Sequence, residues 1–276
     1  MNEQPSQFKW VGTRVIRPDG VDKVTGRAMY GADLTMPGML QGKVLRSPHA
    51  HAKIKSIDTS KAEALDGVKA IVTAEDMPLA DPKPVAAGEA MINMRDLSEN
   101  VIARHKVLYE GQTVAAVAAN TTEIAEKAVA LIDVEYEVLP HVIDVLEAMK
   151  EDAPLLHDDL FTGGVKPKPE KPSNVANRVE FSLGNLETGF ASADVVIEKN
   201  FTTKPVHQGY IEPHAVVADA NPDGKVDIWC SSQGHFMVRT FISGLLKIDM
   251  SKIKVTAAEI GGGFGGKTTV YLEPLA

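Results

Sequence analysis

A chain of 276 residues that is 44% hydrophobic and 24% charged, with a mean hydropathy of −0.08, carries enough apolar content for one large or two modest cores. That excludes disorder over most of its length. Its 29 Lys and Arg against 37 Asp and Glu give a net charge of −8 and a pI near 5.5, and the absence of a long basic run argues against a binder of nucleic-acid phosphates.

Met1 to Trp10 is polar and has no apolar core of signal-peptide length, and no later apolar run nears the roughly 20 residues a membrane helix needs, so a cytoplasmic chain without membrane contact is expected. Residues 1–19 read as a polar tail closed by the turn Pro18-Asp19-Gly20. Strands are predicted at Met39–Arg46 and at Ala52–Asp58, where apolar positions share a face at period two. Thr59 and Ser60 then cap a brief helix ending at Asp66-Gly67, and Val68–Thr73 returns as a strand. Residues 80–100, rich in Pro, Ala and polar groups, read as a long excursion rather than an element. Thr113–Ala119 is an apolar run of buried-strand type. Asn120 with Glu123 makes a capping pair, and Ile124, Ala128, Leu131 and Ile132 stripe a helix leading into strand Val134–Val138. Glu135 and Glu137 alternate there with Val134, Tyr136 and Val138, the pattern of a wet strand face rather than of an acid/base pair. Residues 20–150 are thus expected to form one α/β domain.

The composition shifts at Glu151. Gly163-Gly164 and the following Val165 to Pro172, dense in Lys and Pro, favour an extended, solvated connector over residues 151–174. The second part, 175–276, reads as strands at Val179–Leu183, Asp194–Thr203, Ala215–Ala220 and Lys225–Ser231, the last two joined by the hairpin turn Asn221-Pro222-Asp223-Gly224. Phe236–Leu246 is a predicted helix, Lys252–Glu259 a strand, and Gly261–Lys267 a glycine loop. The single cysteine, Cys230, is too few for an internal disulfide, a CxxC zinc site or a four-thiolate iron–sulfur cluster, and suits a reducing compartment. Burial is the ordinary fate of such a lone thiol. There is no internal repeat.

Gly261-Gly262-Gly263-Phe264-Gly265-Gly266-Lys267-Thr268 satisfies both G-x-G-x-x-G, for dinucleotides, and G-x-x-x-x-G-K-[ST], for the phosphate loop of nucleotide hydrolases. Both use glycines to bring backbone N–H groups close to anionic oxygens. A bland alternative is a tight strand-to-helix turn. Ten residues follow Gly266, whereas the hydrolase core needs later strands for its magnesium carboxylate and the dinucleotide fold an acidic residue about 20 positions on. A ligand other than a nucleotide is therefore expected.

Four ordered motifs then carry a resemblance: Gly26-Arg27-Ala28-Met29-Tyr30-Gly31-Ala32-Asp33, the stretch from Arg46-Ser47-Pro48-His49 to Asp58-Thr59-Ser60, Ser231-Ser232-Gln233, and the Gly261–Lys267 loop. Over residues 15 to 276 the chain resembles the molybdenum-cofactor subunit of the xanthine dehydrogenase/aldehyde oxidase family. The resemblance implies an α/β (α+β) fold: an N-terminal hammerhead α/β domain at 20–150, then the first part of a mixed α/β molybdopterin-binding domain at 175–276. It implies an oxidoreductase of the molybdenum hydroxylase class, acting on an aldehyde, an aromatic compound or an N-heterocycle with oxygen drawn from water. By the same resemblance Gln233 hydrogen-bonds an oxygen ligand of molybdenum, and Gly262, Gly263, Phe264 and Gly265 hold the cofactor, Phe264 with its backbone in the metal's ligand sphere. Neutral amide and peptide donors suit oxo and anionic ligands without adding a competing metal ligand. The cofactor expected is molybdenum-molybdopterin, either plain or as the cytosine dinucleotide, with iron–sulfur and FAD centres on partner subunits.

Purine-oxidising members place a glutamate where this chain has Thr268, which makes Thr268 a substrate-side position and argues against xanthine. No catalytic base is expected in this chain, because in the family it lies in a further portion of the subunit, here a separate polypeptide or the rest of a longer chain. His49 and His51, spaced i, i+2, lack a third ligand nearby and read as a surface turn beside Pro48. His207, Gln208, Glu212 and His214 form a polar group ahead of a strand, with Glu212 read as structural support, and His235 either faces the pocket or caps the next helix. A phosphate-loop nucleotide-binding protein and a non-catalytic assembly subunit are the alternatives.

Overall fold

The computed structural model describes residues 8–87 and 90–276. In chain order it forms α1 (Gly20–Thr25), β1 (Gln41–Arg46), β2 (Ala52–Asp58), α2 (Ser60–Glu63), β3 (Val68–Thr73), β4 (Pro84–Ala87), β5 (Ala90–Asn93) and α3 (Met94–Val101). There follow β6 (Lys106–Val107), β7 (Thr113–Ala119), α4 (Thr122–Leu131), β8 (Asp133–Val138), α5 (Val145–Ala148) and α6 (Leu186–Ala191). The last elements are β9 (Val216–Ala220), β10 (Val226–Cys230), α7 (His235–Leu246) and β11 (Ile253–Ala257). Two compact units result: a mid-chain unit of residues 40–85 and 92–207, and a terminal unit joining residues up to Met39, and 86–91, with 208–276.

The mid-chain unit holds two three-stranded sheets, ordered β1-β7-β3 and β6-β2-β8, with every pairing antiparallel. Strand β7 explains why its sequence does not alternate. Ala115 and Val117 face a cluster with Ala62, Ala128 and Ile132, while Val114 faces the opposite way into a cluster with Ala52, Ala103 and Val107. A strand covered on both sides reads as a continuous apolar run. Helix α4 covers one of those faces through Ala125 and Ala128, and Leu131, read from sequence as part of its apolar stripe, is exposed instead. The cap of α4 is Thr121, whose Oγ1 accepts the N–H of Ile124. The predicted Asn120–Glu123 pair therefore sits one residue early.

Two predicted features differ more. The excursion at 80–100 contains the β4–β5 ribbon and helix α3, whose Met94, Leu97, Ser98 and Val101 are buried and whose cap Asn93 accepts the N–H of Arg95 at 3.0 Å. Conversely, Val179–Leu183 and Asp194–Thr203 carry strand-type alternation but form no strand, and Val179, Phe181, Leu183, Val195, Ile197 and Phe201 stay exposed. Alternation predicts a strand only where a partner edge exists, and no described strand pairs with them. Residues 151–174 have no regular secondary structure, yet they are pinned rather than free. Asn174 accepts the N–H of Leu156 through Oδ1 and donates through Nδ2 to the carbonyls of Ala148 and Pro154.

In the terminal unit one sheet runs β11-β10-β9, with β9 antiparallel and β11 parallel to β10. The Asn221–Gly224 turn closes the β9–β10 hairpin with a 2.9 Å bond from the Gly224 N–H to the Asn221 carbonyl. Parallel neighbours need a crossover, which α7 supplies. Its buried residues Val238, Phe241, Ile242 and Leu245 fall at i, i+3, i+4 and i+7, a single apolar face. Before it in sequence, the polar start of the chain contributes α1 and a one-residue bridge between Tyr30 and Glu259.

Candidate cofactor site

Because β10 and β11 are parallel neighbours, their C-terminal ends share one edge of the sheet, the edge where open α/β sheets place ligands. Gln233 follows β10 and the glycine loop follows β11, so residues 32 positions apart meet. Gln233 Oε1 accepts the N–H of Gly265 at 3.0 Å and of Lys267 at 3.1 Å, and the Gln233 N–H donates to the Lys267 carbonyl at 2.9 Å. Two donors on one side-chain atom make that atom the oxygen, which leaves Nε2 as the group turned away from the loop. Nε2 has no hydrogen-bond partner among the described residues, and the Gln233 side chain is exposed.

The loop's glycines serve this approach. A Cβ on Gly263 would lie 2.5 Å from Gln233 Oε1, and Gly265 has φ +90°, a conformation L residues avoid. Phe264 between them is itself left-handed, with φ 49°, and its ring is exposed. The N–H groups of Gly262, Gly263 and Phe264 have no partner among the described residues, whereas that of Gly265 is spent on Gln233. Thr268 is exposed and ties its hydroxyl to the Gly265 carbonyl at 2.9 Å.

Below the loop lies an ion pair that the sequence did not reveal. Lys267 is buried, and its Nζ is 2.7 Å from Glu212 Oε2. The same oxygen accepts the N–H of Gly261 at 2.6 Å, so both ends of the loop are tied to one carboxylate. The Tyr210 ring also lies 5.1 Å from the Lys267 ammonium. Glu212 as support and Lys267 as loop residue were each legible; their pairing across 55 positions was not. The phosphate-loop reading needs this lysine free to reach phosphates, and here it is committed to Glu212.

The remaining polar candidates separate. His214 Nε2 is 3.0 Å from the Tyr210 hydroxyl, and its ring packs edge-on against Tyr271. His207 belongs to the mid-chain unit. His235 begins α7 and lines an open cleft of about 730 Å³ with Arg17, Lys23, Tyr30, Glu259 and Gly262. His51, read as part of a surface turn, is buried and bonded through Nδ1 to the Pro140 carbonyl at 2.7 Å, while His49 packs its ring on Tyr136. Among the described residues no group of three or more His, Cys, Asp or Glu is placed to hold a metal. Glu137 lies on a wet face, bridging Lys55 and Lys53, which draw its carboxyl down to about 2. Cys230 ends β10 fully buried, and desolvation with the nearby Glu273 carboxylate pushes its thiol up to about 12.

Two family models match: the aldehyde oxidase and xanthine dehydrogenase a/b hammerhead domain over residues 25–140, and the molybdopterin cofactor-binding domain over residues 167–276. The chain belongs to the xanthine dehydrogenase/aldehyde oxidase family. Among similar proteins, the carbon monoxide dehydrogenase large chain of Afipia carboxidovorans is 37% identical over 278 residues, covering 98% of this chain and 33% of that protein. The nicotinate dehydrogenase large molybdopterin subunit of Eubacterium barkeri is 30% identical over 266 residues, 96% of this chain and 57% of that one. The crystal structure of quinoline 2-oxidoreductase from Pseudomonas putida 86 superposes with a TM-score of 0.80 at 32% identity, over 96% of this chain and 32% of that chain. The chain thus spans about a third of the length of two of these family members and 57% of the other.

The molybdopterin-domain residues fit the group that domain binds. Gln233 Nε2 and the N–H groups of Gly262, Gly263 and Phe264 form a set of neutral donors beside a loop too tight for a Cβ at Gly263. Such donors stabilise anionic oxygen and sulfur without competing for the metal. No helix among the described residues is long and apolar enough to cross a membrane.

Proposed function

We propose that this chain supplies the hammerhead domain, at 20–150, and the start of the molybdopterin domain, at 175–276, of a molybdenum hydroxylase, with 151–174 as the connector. The observation that carries the reading is the Gln233 amide, pinned by its oxygen to the glycine loop and presenting Nε2 outward. When bound, the molybdenum-molybdopterin group supplies a centre at which water-derived oxygen is delivered to a substrate carbon and two electrons are taken up. Gln233 Nε2 would donate to an oxygen of that group. The N–H groups of Gly262, Gly263 and Phe264 would donate to anionic atoms of that group, and Gly265 serves by locking Gln233 in place. Thr268, exposed beside the loop, is the substrate-side position in this reading. Two of the named relatives are named for the N-heterocycles nicotinate and quinoline and the third for carbon monoxide; the substrate proposed here is an organic compound, an aldehyde, an aromatic compound or an N-heterocycle. In this reading iron–sulfur and FAD subunits, together with the rest of the molybdenum subunit, complete the enzyme in the cytoplasm.

The test separates the two jobs of Gln233. In the assembled enzyme, Gln233→Glu keeps an oxygen for the Gly265 and Lys267 N–H groups but removes the Nε2 donor. Turnover should fall about a hundredfold, the cost of one lost donor in an oxyanion-type site. Full turnover in this variant, or an assembled complex free of molybdenum by mass spectrometry, overturns the reading.

A further inference from the structure

We infer that residues 178–206 are an interaction surface, a pair of strands that complete a sheet with the part of the molybdenum subunit that this chain does not contain. Val179, Phe181 and Leu183 fall at i, i+2 and i+4, and Val195, Ile197 and Phe201 share one parity further on, interrupted by Lys199, so each segment carries a mainly apolar face of strand type. These six side chains, with Val196, are 58 to 96% exposed. Backbone pairing is missing as well. Between Val179 and Leu183, and from Asp194 to Val206, no backbone N–H donates to a backbone carbonyl among the described residues. Fixing extended backbone costs conformational entropy, and here neither a ladder nor burial offsets it. An edge with both an apolar face and open hydrogen-bonding groups is a template for an added strand.

The occupant follows from lengths. The molybdopterin-domain match begins at residue 167 and so includes both segments, yet the paired strands of that stretch number three, β9, β10 and β11. Solved relatives that match 96% of this chain carry about two thirds more of their own length outside the match. A polypeptide equivalent to that portion, supplied as a continuation or as a separate subunit, is the partner. This inference rests on the proposed function only for the partner's identity.

Hydrogen exchange by mass spectrometry tests it, on the 276-residue chain alone and assembled with the polypeptide carrying the remainder of the subunit. Amides of 179–183 and 195–203 should exchange freely in the chain alone and about a hundredfold more slowly in the assembly. Phe181→Lys and Phe201→Lys, at exposed positions, should leave the melting temperature of the chain unchanged and lower its capture of the remainder at least tenfold. Equal exchange in both states overturns the inference. So does protection in the chain alone that grows with concentration alongside a dimer in sedimentation, which would assign the surface to a second copy. An assembly that holds molybdenum but leaves these amides fast refutes this surface and spares the functional reading; protected amides without molybdenum do the reverse.

Discussion

Lys267 and Glu212 illustrate how much one buried charge depends on another. Removing one partner of a buried pair strands the other without solvation, at a cost of about 3–5 kcal/mol, whereas replacing both with neutral groups is often close to neutral. Glu212→Gln should therefore sharply lower the urea midpoint, and adding Lys267→Met should recover much of the loss; simple additivity of the two changes would show that the pair is not coupled. Glu273 gives a pH signature. Burial raises its carboxyl above the usual 4.5, and its Oε2 accepts the Tyr271 N–H. An acid whose folded pKa is raised binds its proton more tightly in the folded state, so stability is full below about 4.5 and declines as the pH rises from there through the folded pKa. Glu273→Gln keeps an acceptor for Tyr271 and should remove that decline, giving a higher melting temperature at pH 7. Cys230, buried and held as a thiol, should resist iodoacetamide in the native chain and react on unfolding. Gln233 was legible only through its motif, because a lone glutamine after a strand ordinarily faces water. The outward orientation of its nitrogen depends on which N–H groups converge on its oxygen, and no sequence pattern states that.

At the scale of elements, legibility followed the source of order. Strand β7 and helix α7 announce themselves because burial dictates their apolar patterns. Helix α3 was hidden because its buried Met94, Leu97 and Val101 are interleaved with Arg95, Asp96 and Glu99 and follow a stretch rich in Pro and Ala. The reverse error, strands expected at 179–183 and 194–203, arose because side-chain alternation is written in the sequence while the partner edge is not. Helix α4 permits a direct check of its start. Thr121→Ala removes the side-chain acceptor of the Ile124 N–H and should cost about 1 kcal/mol, while Asn120→Ala should cost little at this helix end. Equal losses from both would return the cap to Asn120.

For the whole molecule, the family was legible from four short motifs, but the division into units was not, since the terminal unit draws on both ends of the chain. Its join is specific: Tyr30 bridges to Glu259, the Glu259 N–H donates to the Met29 carbonyl at 2.9 Å, and Lys23 pairs with the Glu259 carboxylate. A chain lacking residues 1–30 retains Trp229 as its one tryptophan, because Trp10 is the other. Trp229 fluorescence should then report unfolding of the terminal unit at lower urea than in the full chain, with the slowest-exchanging β7 amides unmoved. A shared shift of both would make the two units one cooperative body.

That join sets a timetable on the ribosome. Residues 20–30 emerge well before the strand end that receives them, which lies more than two hundred residues later. Synthesis at about 5–20 residues per second puts some 10–50 seconds between the two, during which the mid-chain unit can fold as a finished piece. Lys23 and Tyr30 wait through that interval without Glu259, the residue that ion-pairs with the one and bridges to the other. A nascent chain stalled before residue 259 would thus be cut by protease within residues 20–30, and one released after it would be spared there.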